Sequence, residues 1–209
     1  MGHSAGGHLA LLYAYKAKKC ANCTYKTNCE EAPFDFKCDR HKVTPDIPVT
    51  LVISEAGPTN LSEEALGLLQ SQGRDPVYLM AGTNNTSEDR YEKTLKASPV
   101  TYANTDSPYT IYARGSNDET TKKDQSIALV KKLLSSYANQ EDTVIETALI
   151  NNALTNQANC AFFSFAGLDH GSFGAEKSIY PGSTFNEKGV NAVITDYYEK
   201  IAEKLQFNS

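Results

Sequence analysis

The stretch that most constrains how this chain can fold is its opening run, Gly2-His3-Ser4-Ala5-Gly6-Gly7-His8. Gly2-x-Ser4-x-Gly6 is the pattern of a sharp strand-to-helix elbow that lifts a serine hydroxyl clear of a sheet. The serine of such a turn sits in an unfavourable backbone conformation. Glycines two residues to either side, Gly2 and Gly6, are expected to let the flanking strand and helix approach. The elbow demands a strand before Ser4 and a helix after it. The following run, His8-Leu9-Ala10-Leu11-Leu12-Tyr13-Ala14-Tyr15, is apolar on nearly every side, which predicts a helix buried all round. Lys16, Lys18 and Lys19 then gather where a helix C-terminus favours positive charge.

Further along, Val49-Thr50-Leu51-Val52-Ile53-Ser54 is continuous and β-branched, which fits a buried parallel strand. Gly57-Pro58-Thr59-Asn60 turns the chain. Residues 61–72 then read as a helix with Asn60 and Glu63 placed to cap it, residues 73–87 as a loop, and residues 88–97 as a short helix ending before Ser98-Pro99. Tyr109-Thr110-Ile111-Tyr112-Ala113 is a second strand running into Arg114-Gly115-Ser116-Asn117-Asp118. Ile127, Leu129, Val130, Leu133 and Leu134 form a stripe that predicts a helix over 120–138. A third strand, Ala161-Phe162-Phe163-Ser164-Phe165, leads to Gly167-Leu168-Asp169-His170-Gly171. A closing helix over 187–205 carries Val190, Val193, Ile194, Tyr197, Ile201 and Leu205 at helical spacing.

Strands alternating with helices specify an α/β fold, a parallel sheet covered by helices, with sites at the carboxyl ends of its strands. Ser4, Asp118 and His170 each fall where a strand ends. A serine hydroxyl needs a base within hydrogen-bond reach to become a nucleophile, and His170 can supply it near neutral pH. Asp118 would hold the imidazole in the useful tautomer. Taken singly, each has a plainer reading: Ser4 and Asp118 as helix caps, His170 as a loop histidine. Jointly, three strand ends in the order serine, aspartate, histidine favour the catalytic reading. Among competing groups, Asp169 adjoins His170 too closely to orient its ring and Glu119 is expected to point into the helix. His3 and His8 read as neighbours of the elbow rather than bases, and His41 has no evident partner.

Composition narrows the partners. A formal net charge of −5, with lysines and arginines scattered among acids, argues against nucleic acid. No apolar run reaches the roughly 18–20 residues of a membrane span, and no cofactor or metal is called for. Four of the five cysteines, Cys20, Cys23, Cys29 and Cys38, share one polar excursion over about 20–47, with Cys160 far away. Local disulfides are favoured over free thiols there, and a zinc site ranks last because the second pair is spaced too widely. The cluster leans towards an exported protein, with compartment otherwise open.

The combination resembles the C-terminal part of an α/β-hydrolase of the carboxylesterase/lipase group, in its hormone-sensitive-lipase-like and feruloyl/acetyl esterase branch. The matching residues are Gly2-His3-Ser4-Ala5-Gly6-Gly7-His8-Leu9-Ala10, Gly57-Pro58-Thr59-Asn60-Leu61, Ala97-Ser98-Pro99-Val100, Gly115-x-x-Asp118 and His170-Gly171-x-Phe173. The resemblance implies a serine esterase acting on small carboxylic esters without a cofactor. Ser4 would be its nucleophile, Asp118 its acid, His170 its base, and the Ala5 N–H part of its oxyanion hole. Arg114 departs from the pattern, standing where the family often has a histidine. A segment over about 139–159 is an insertion, in which Thr143 and Glu146 read as a capping box and Val144, Ile145, Ala148 and Leu149 as one face; surface decoration is its expected role.

In that family several strands and an oxyanion loop precede the elbow. Residues 1–209 are therefore expected to form a single incomplete α/β-hydrolase domain, with N-terminal strands absent and Met1 an internal methionine of a longer hydrolase. A sheet edge left open would invite self-association, and the loss of oxyanion donors would leave weak activity or none. Two rival readings remain: a prolyl-oligopeptidase-like peptidase, which Ala5 disfavours because those enzymes resemble Gly-x-Ser-aromatic-Gly-Gly, and a non-catalytic binding domain on the same fold.

Overall fold

The computed structural model describes residues 1–20, 49–61, 87–171 and 190–204. Within them lie four strands, β1 (Gly2–His3), β2 (Leu51–Glu55), β3 (Tyr109–Gly115) and β4 (Cys160–Phe165). Five helices accompany them: α1 (Ala5–Cys20), α2 (Ser87–Ala97), α3 (Lys123–Leu133), α4 (Asp142–Ile150) and α5 (Val190–Lys204). The strands form one sheet in the order β1-β2-β3-β4, each pair parallel. The register sets Ser54 beside Gly2 and Tyr112, and Tyr112 beside Phe162.

Every residue of β3 and β4 is buried. That is why both read as unbroken apolar runs: helices cover a parallel sheet on both faces, so neither face needs polar residues. Successive side chains still alternate. Val52, Tyr112 and Phe162 face Leu11 of α1, Leu129 of α3 and Ile145 of α4. Ile53, Ile111 and Phe163 face Val193, Ile194 and Ile201 of α5. Ile111 and Phe162 are wholly enclosed, and burial of each stabilises the fold by about 1.5–3 kcal/mol. Tyr15 of α1 reaches across to Thr110, oxygen to oxygen at 2.9 Å.

Several expectations are corrected. α1 is not buried all round: Leu9 and Tyr13, one turn apart, are each 59% exposed. The sheet needs only the face carrying Leu11, Ala14 and Tyr15, and the i, i+4 pair opposite is turned away. Lys16 lays its ammonium 4.8 Å from the ring centre of Tyr102, a cation–π contact in addition to any interaction with the helix end. The helix expected over 120–138 is shorter, because residues 118–121 form a turn around Asp118 and Leu134 is extended (φ −117°, ψ 105°) before a 3₁₀ turn at Ser135–Tyr137. Glu119 therefore lies outside the helix and is exposed.

Thr143 and Glu146 do not form a capping box. The cap position is Glu141, without a side-chain cap bond, and Glu146 accepts a 2.7 Å ion pair from Lys123. Val144 is 47% exposed while Ile145 and Leu149 are buried in the core. The segment is thus not surface decoration. Asn152, at φ 51°, donates from Nδ2 to the Ser164 carbonyl and accepts the Ser164 N–H on Oδ1. Phe162 N–H donates to the Leu154 carbonyl. Together these occupy the outer hydrogen-bonding edge of β4, which would otherwise offer a template for another strand. The helix expected over 61–72 beyond its first residue, the loop over 73–87 up to its last residue, the cysteine excursion with Cys23, Cys29, Cys38 and His41, and residues 187–189 and 205 of the closing helix lie outside the described residues.

Candidate active site

Ser4 stands between β1 and α1 with φ 53°, a left-handed conformation that a side chain-bearing residue adopts at a cost. Two main-chain bonds hold it there: Ser4 N–H to the Glu55 carbonyl at 2.8 Å, and His8 N–H to the Ser4 carbonyl at 3.0 Å. The glycines around it divide their work differently from the expectation. A Cβ on Gly2 would run into the Gly6 carbonyl, and one on Gly7 would lie 2.7 Å from Ser54 Oγ and 2.9 Å from the Gly2 carbonyl oxygen. A Cβ on Gly6 would meet nothing within 4 Å among these contacts. Gly2 and Gly7, not Gly6, allow the helix to close onto the sheet.

Asp118 lies just beyond the end of β3, its carboxylate fully buried. Oδ1 accepts the N–H groups of Thr120 and Thr121, at 2.9 and 2.7 Å. Oδ2 faces His170 Nδ1 at 2.9 Å. Asp118 is therefore both a turn-capping residue and the partner of the histidine, two readings that the sequence set against each other. His170, in the turn after β4 and about one-fifth exposed, presents Nε2 to Ser4 Oγ at 2.8 Å. With Nδ1 donating to the carboxylate, Nε2 carries the lone pair and accepts from the serine hydroxyl. Three residues separated by as many as 166 positions thus form one hydrogen-bonded relay at the carboxyl rim of the sheet.

Loops beside the relay are laced together. Gln125 at the start of α3 accepts the N–H groups of Thr59 and Asn60, Tyr112 Oη donates to the Gly57 carbonyl, and Thr121 Oγ1 donates to the Ala56 carbonyl. These bonds tie the Asp118 turn to the loop following β2. Asp169 is exposed and accepts the Gly171 N–H, so it braces the histidine turn rather than orienting the ring. Ala5 opens α1, where the first N–H groups have no acceptor within the helix.

Three neighbours carry more than the sequence alone assigns them: there His3 reads only as a neighbour of the elbow, Arg114 only as a departure from the family pattern, and Glu55 not at all. His3 Nε2 lies 2.9 Å from the His170 carbonyl oxygen, and the two rings are 5.2 Å apart. Glu55, the register partner of His3, is buried, and among the described residues its Oε1 has no hydrogen-bond partner. Burial pushes this carboxyl above the usual range, while His3 pulls it back. Arg114 is buried at the end of β3, its Nε also without a hydrogen-bond partner among the described residues. Burial lowers the pKa of its guanidinium, against the pull of Tyr112 and of the acids Asp118, Glu146 and Asp124. The run Ser54-Glu55 at a strand end could have pointed to Glu55. Nothing local could have signalled the contact of His3 with a turn 167 residues away. Among the described residues no three His, Cys, Asp or Glu side chains are grouped to hold a metal, and Cys160 is a buried free thiol whose pKa burial raises to about 12.

Comparison with known proteins finds solved structures similar to this chain, three of which follow. A thermophilic esterase from the planctomycete Thermogutta terrifontis, butyrate-bound, is 18% identical, with 99% of this chain and 55% of that chain covered and a TM-score of 0.49. A carboxylesterase from Lactobacillus plantarum is 17% identical over 98% of this chain and 56% of that one, with a TM-score of 0.44. A truncated carbohydrate esterase from gut microbiota is 16% identical over 81% and 50%, with a TM-score of 0.45. The chain spans about half the length of these structures. No curated protein sequence matches it. The sequence model of the BD-FAE family matches residues 1–133, from the serine elbow through the aspartate turn to the end of α3. With most of its length under that match and a parallel sheet covered by helices, the chain belongs to the BD-FAE family, an esterase-like group of α/β-hydrolases.

Proposed function

We propose that this chain carries the reactive centre of a serine hydrolase of carboxylic esters, working through an acyl-enzyme. The observation that carries the reading is the unbroken relay Ser4 Oγ, His170 Nε2, His170 Nδ1, Asp118 Oδ2, with both links under 3 Å. Ser4 Oγ attacks the ester carbonyl carbon as its proton passes to His170 Nε2. Asp118 keeps Nδ1 protonated and stabilises the imidazolium. The negative charge then sits on the former carbonyl oxygen, to which the Ala5 N–H at the start of α1 donates, aided by the positive end of that helix. Collapse breaks the bond to the alkoxy oxygen, which leaves as the alcohol with the proton held by His170. Water, deprotonated by the same imidazole, attacks the acyl carbonyl; the bond to Ser4 Oγ then breaks, the serine oxygen takes the proton back from His170, and the carboxylic acid leaves. None of these steps calls on a cofactor.

The test uses the protein expressed from its complete reading frame. Hydrolysis of a short-chain aryl ester should fall at least about 10³-fold in Ser4→Ala, and a fluorophosphonate should label Ser4 itself. An aminoacyl arylamide should be cut far more slowly than the ester. Turnover that survives Ser4→Ala would overturn the serine reading; preference for the arylamide would point to a peptidase; neither turnover nor labelling would point to a binding domain.

A further inference from the structure

We propose that His3 is a positioning residue for the reaction, acting as a clamp that fixes the turn carrying His170 through its main chain. The proposal rests on the serine-hydrolase reading of the site. His3 immediately precedes Ser4, and its Nε2 lies 2.9 Å from the His170 carbonyl oxygen. A carbonyl can only accept, so Nε2 of His3 carries a proton and donates it. The nucleophile and its base are therefore joined twice: by side chains, Ser4 Oγ to His170 Nε2, and by the bond from the elbow to the base's own main chain.

The two links have different chemistry. The side-chain link is broken and remade during each turnover, as the proton leaves Ser4 and the imidazole gives it up. The link from His3 to the carbonyl takes no part in proton transfer and can persist through every step. When the serine oxygen is bonded to an acyl group and no longer donates to His170, the clamp still holds the turn at the same height over the elbow. The base is then ready for the incoming water. His3 is well placed for this, because β1 pairs it with Glu55, whose carbonyl holds the Ser4 N–H. Clamp and nucleophile share one anchored strand end. The rings of His3 and His170, 5.2 Å apart and tilted by 41°, add a second contact that does not depend on the donor.

Donor and ring can be separated by substitution. His3→Phe keeps a ring and removes the donor; His3→Gln removes the ring and places an amide N–H at a similar reach; His3→Ala removes both. In the protein expressed from its complete reading frame, kcat for an aryl ester should fall about three- to tenfold in His3→Phe and His3→Ala, the range expected for one lost hydrogen bond. KM should change little, because no substrate contact is lost. His3→Gln should recover kcat to within about twofold of the parent on the same reasoning. Thermal midpoints serve as the control, and since His3 is exposed all three variants should melt close to the parent. His3→Phe with the parent kcat, or His3→Gln no better than His3→Ala, would overturn the clamp. Ser4→Ala run alongside separates the two ideas: full activity there sinks the serine reading, whereas an inactive Ser4→Ala beside an unimpaired His3→Phe sinks only the clamp.

Discussion

A serine at φ 53° requires its neighbours to hold it, and the glycines beside Ser4 show how narrowly the requirement is distributed. A Cβ on Gly7 would lie 2.7 Å from Ser54 Oγ, 2.9 Å from the Gly2 carbonyl oxygen and 3.2 Å from Gly57 Cα, so a methyl group there forces backbone apart. Gly7→Ala should destabilise the fold by about 1–3 kcal/mol, as overpacking does, read as a lower urea midpoint. Gly6→Ala meets open space on a helix and should be neutral or raise stability by up to about 1 kcal/mol. A Gly6→Ala variant as damaged as Gly7→Ala would contradict this account. The elbow was legible in the sequence because glycine, serine and the apolar run after them leave few other conformations. Which glycine is sterically required was not, since it depends on Ser54 of a strand 47 or more positions away.

At the scale of elements, strands were the most legible parts. β2, β3 and β4 are short, continuous and β-branched or aromatic, and each lies within two residues of its expected bounds. Helix ends were less so. α3 starts late because the Asp118 carboxylate engages Thr120 and Thr121 first, a contest between a turn and a helix that propensity alone does not resolve. The segment between α3 and β4 was misread as decoration because its purpose lies in pairing with β4. Asn152 is central there, with both amide atoms bonded to the Ser164 main chain. Asn152→Gly keeps the left-handed backbone and loses both bonds, which should cost about 1–3 kcal/mol. Asn152→Ala should cost about 1 kcal/mol more, since alanine is strained at that φ. Equal unfolding midpoints for parent and Asn152→Gly would show that this edge needs no such cover.

For the molecule as a whole, the most legible fact was that three strand ends would converge, because parallel α/β topology places every strand's carboxyl end on one rim. What joins the rim to the core was hidden. His8 is an example: it is buried, and its Nδ1 donates to the Pro58 carbonyl at 2.9 Å, pinning α1 to the loop after β2. Burial lowers its pKa below the ordinary 6.5, with the Pro58 bond opposing. The folded state thus prefers the neutral ring, and this contribution to stability is complete above pH 6.5 and is lost as pH falls through the lowered value. Glu55 acts with the opposite sign, its raised pKa giving stability below its ordinary 4.5 that is lost as pH rises. His8→Asn keeps a donor in the Nδ1 position without the titration. Its melting temperature should fall less than the parent's between pH 7 and about pH 5, and parallel pH curves for the two proteins would refute the assignment.

The buried aspartate carries a broader implication. One oxygen shapes the turn that leads into α3 and the other holds an imidazole, so under the proposed serine-hydrolase reading folding and reactivity would draw on the same carboxylate. An amide in its place could satisfy the threonine N–H groups, yet it would offer either a hydrogen or a weaker acceptor to the ring. A longer acid would have to displace the turn to reach the same nitrogen. On that reading, selection for thermal robustness and selection for turnover would meet at a single short side chain, and neither could be relaxed there without cost to the other.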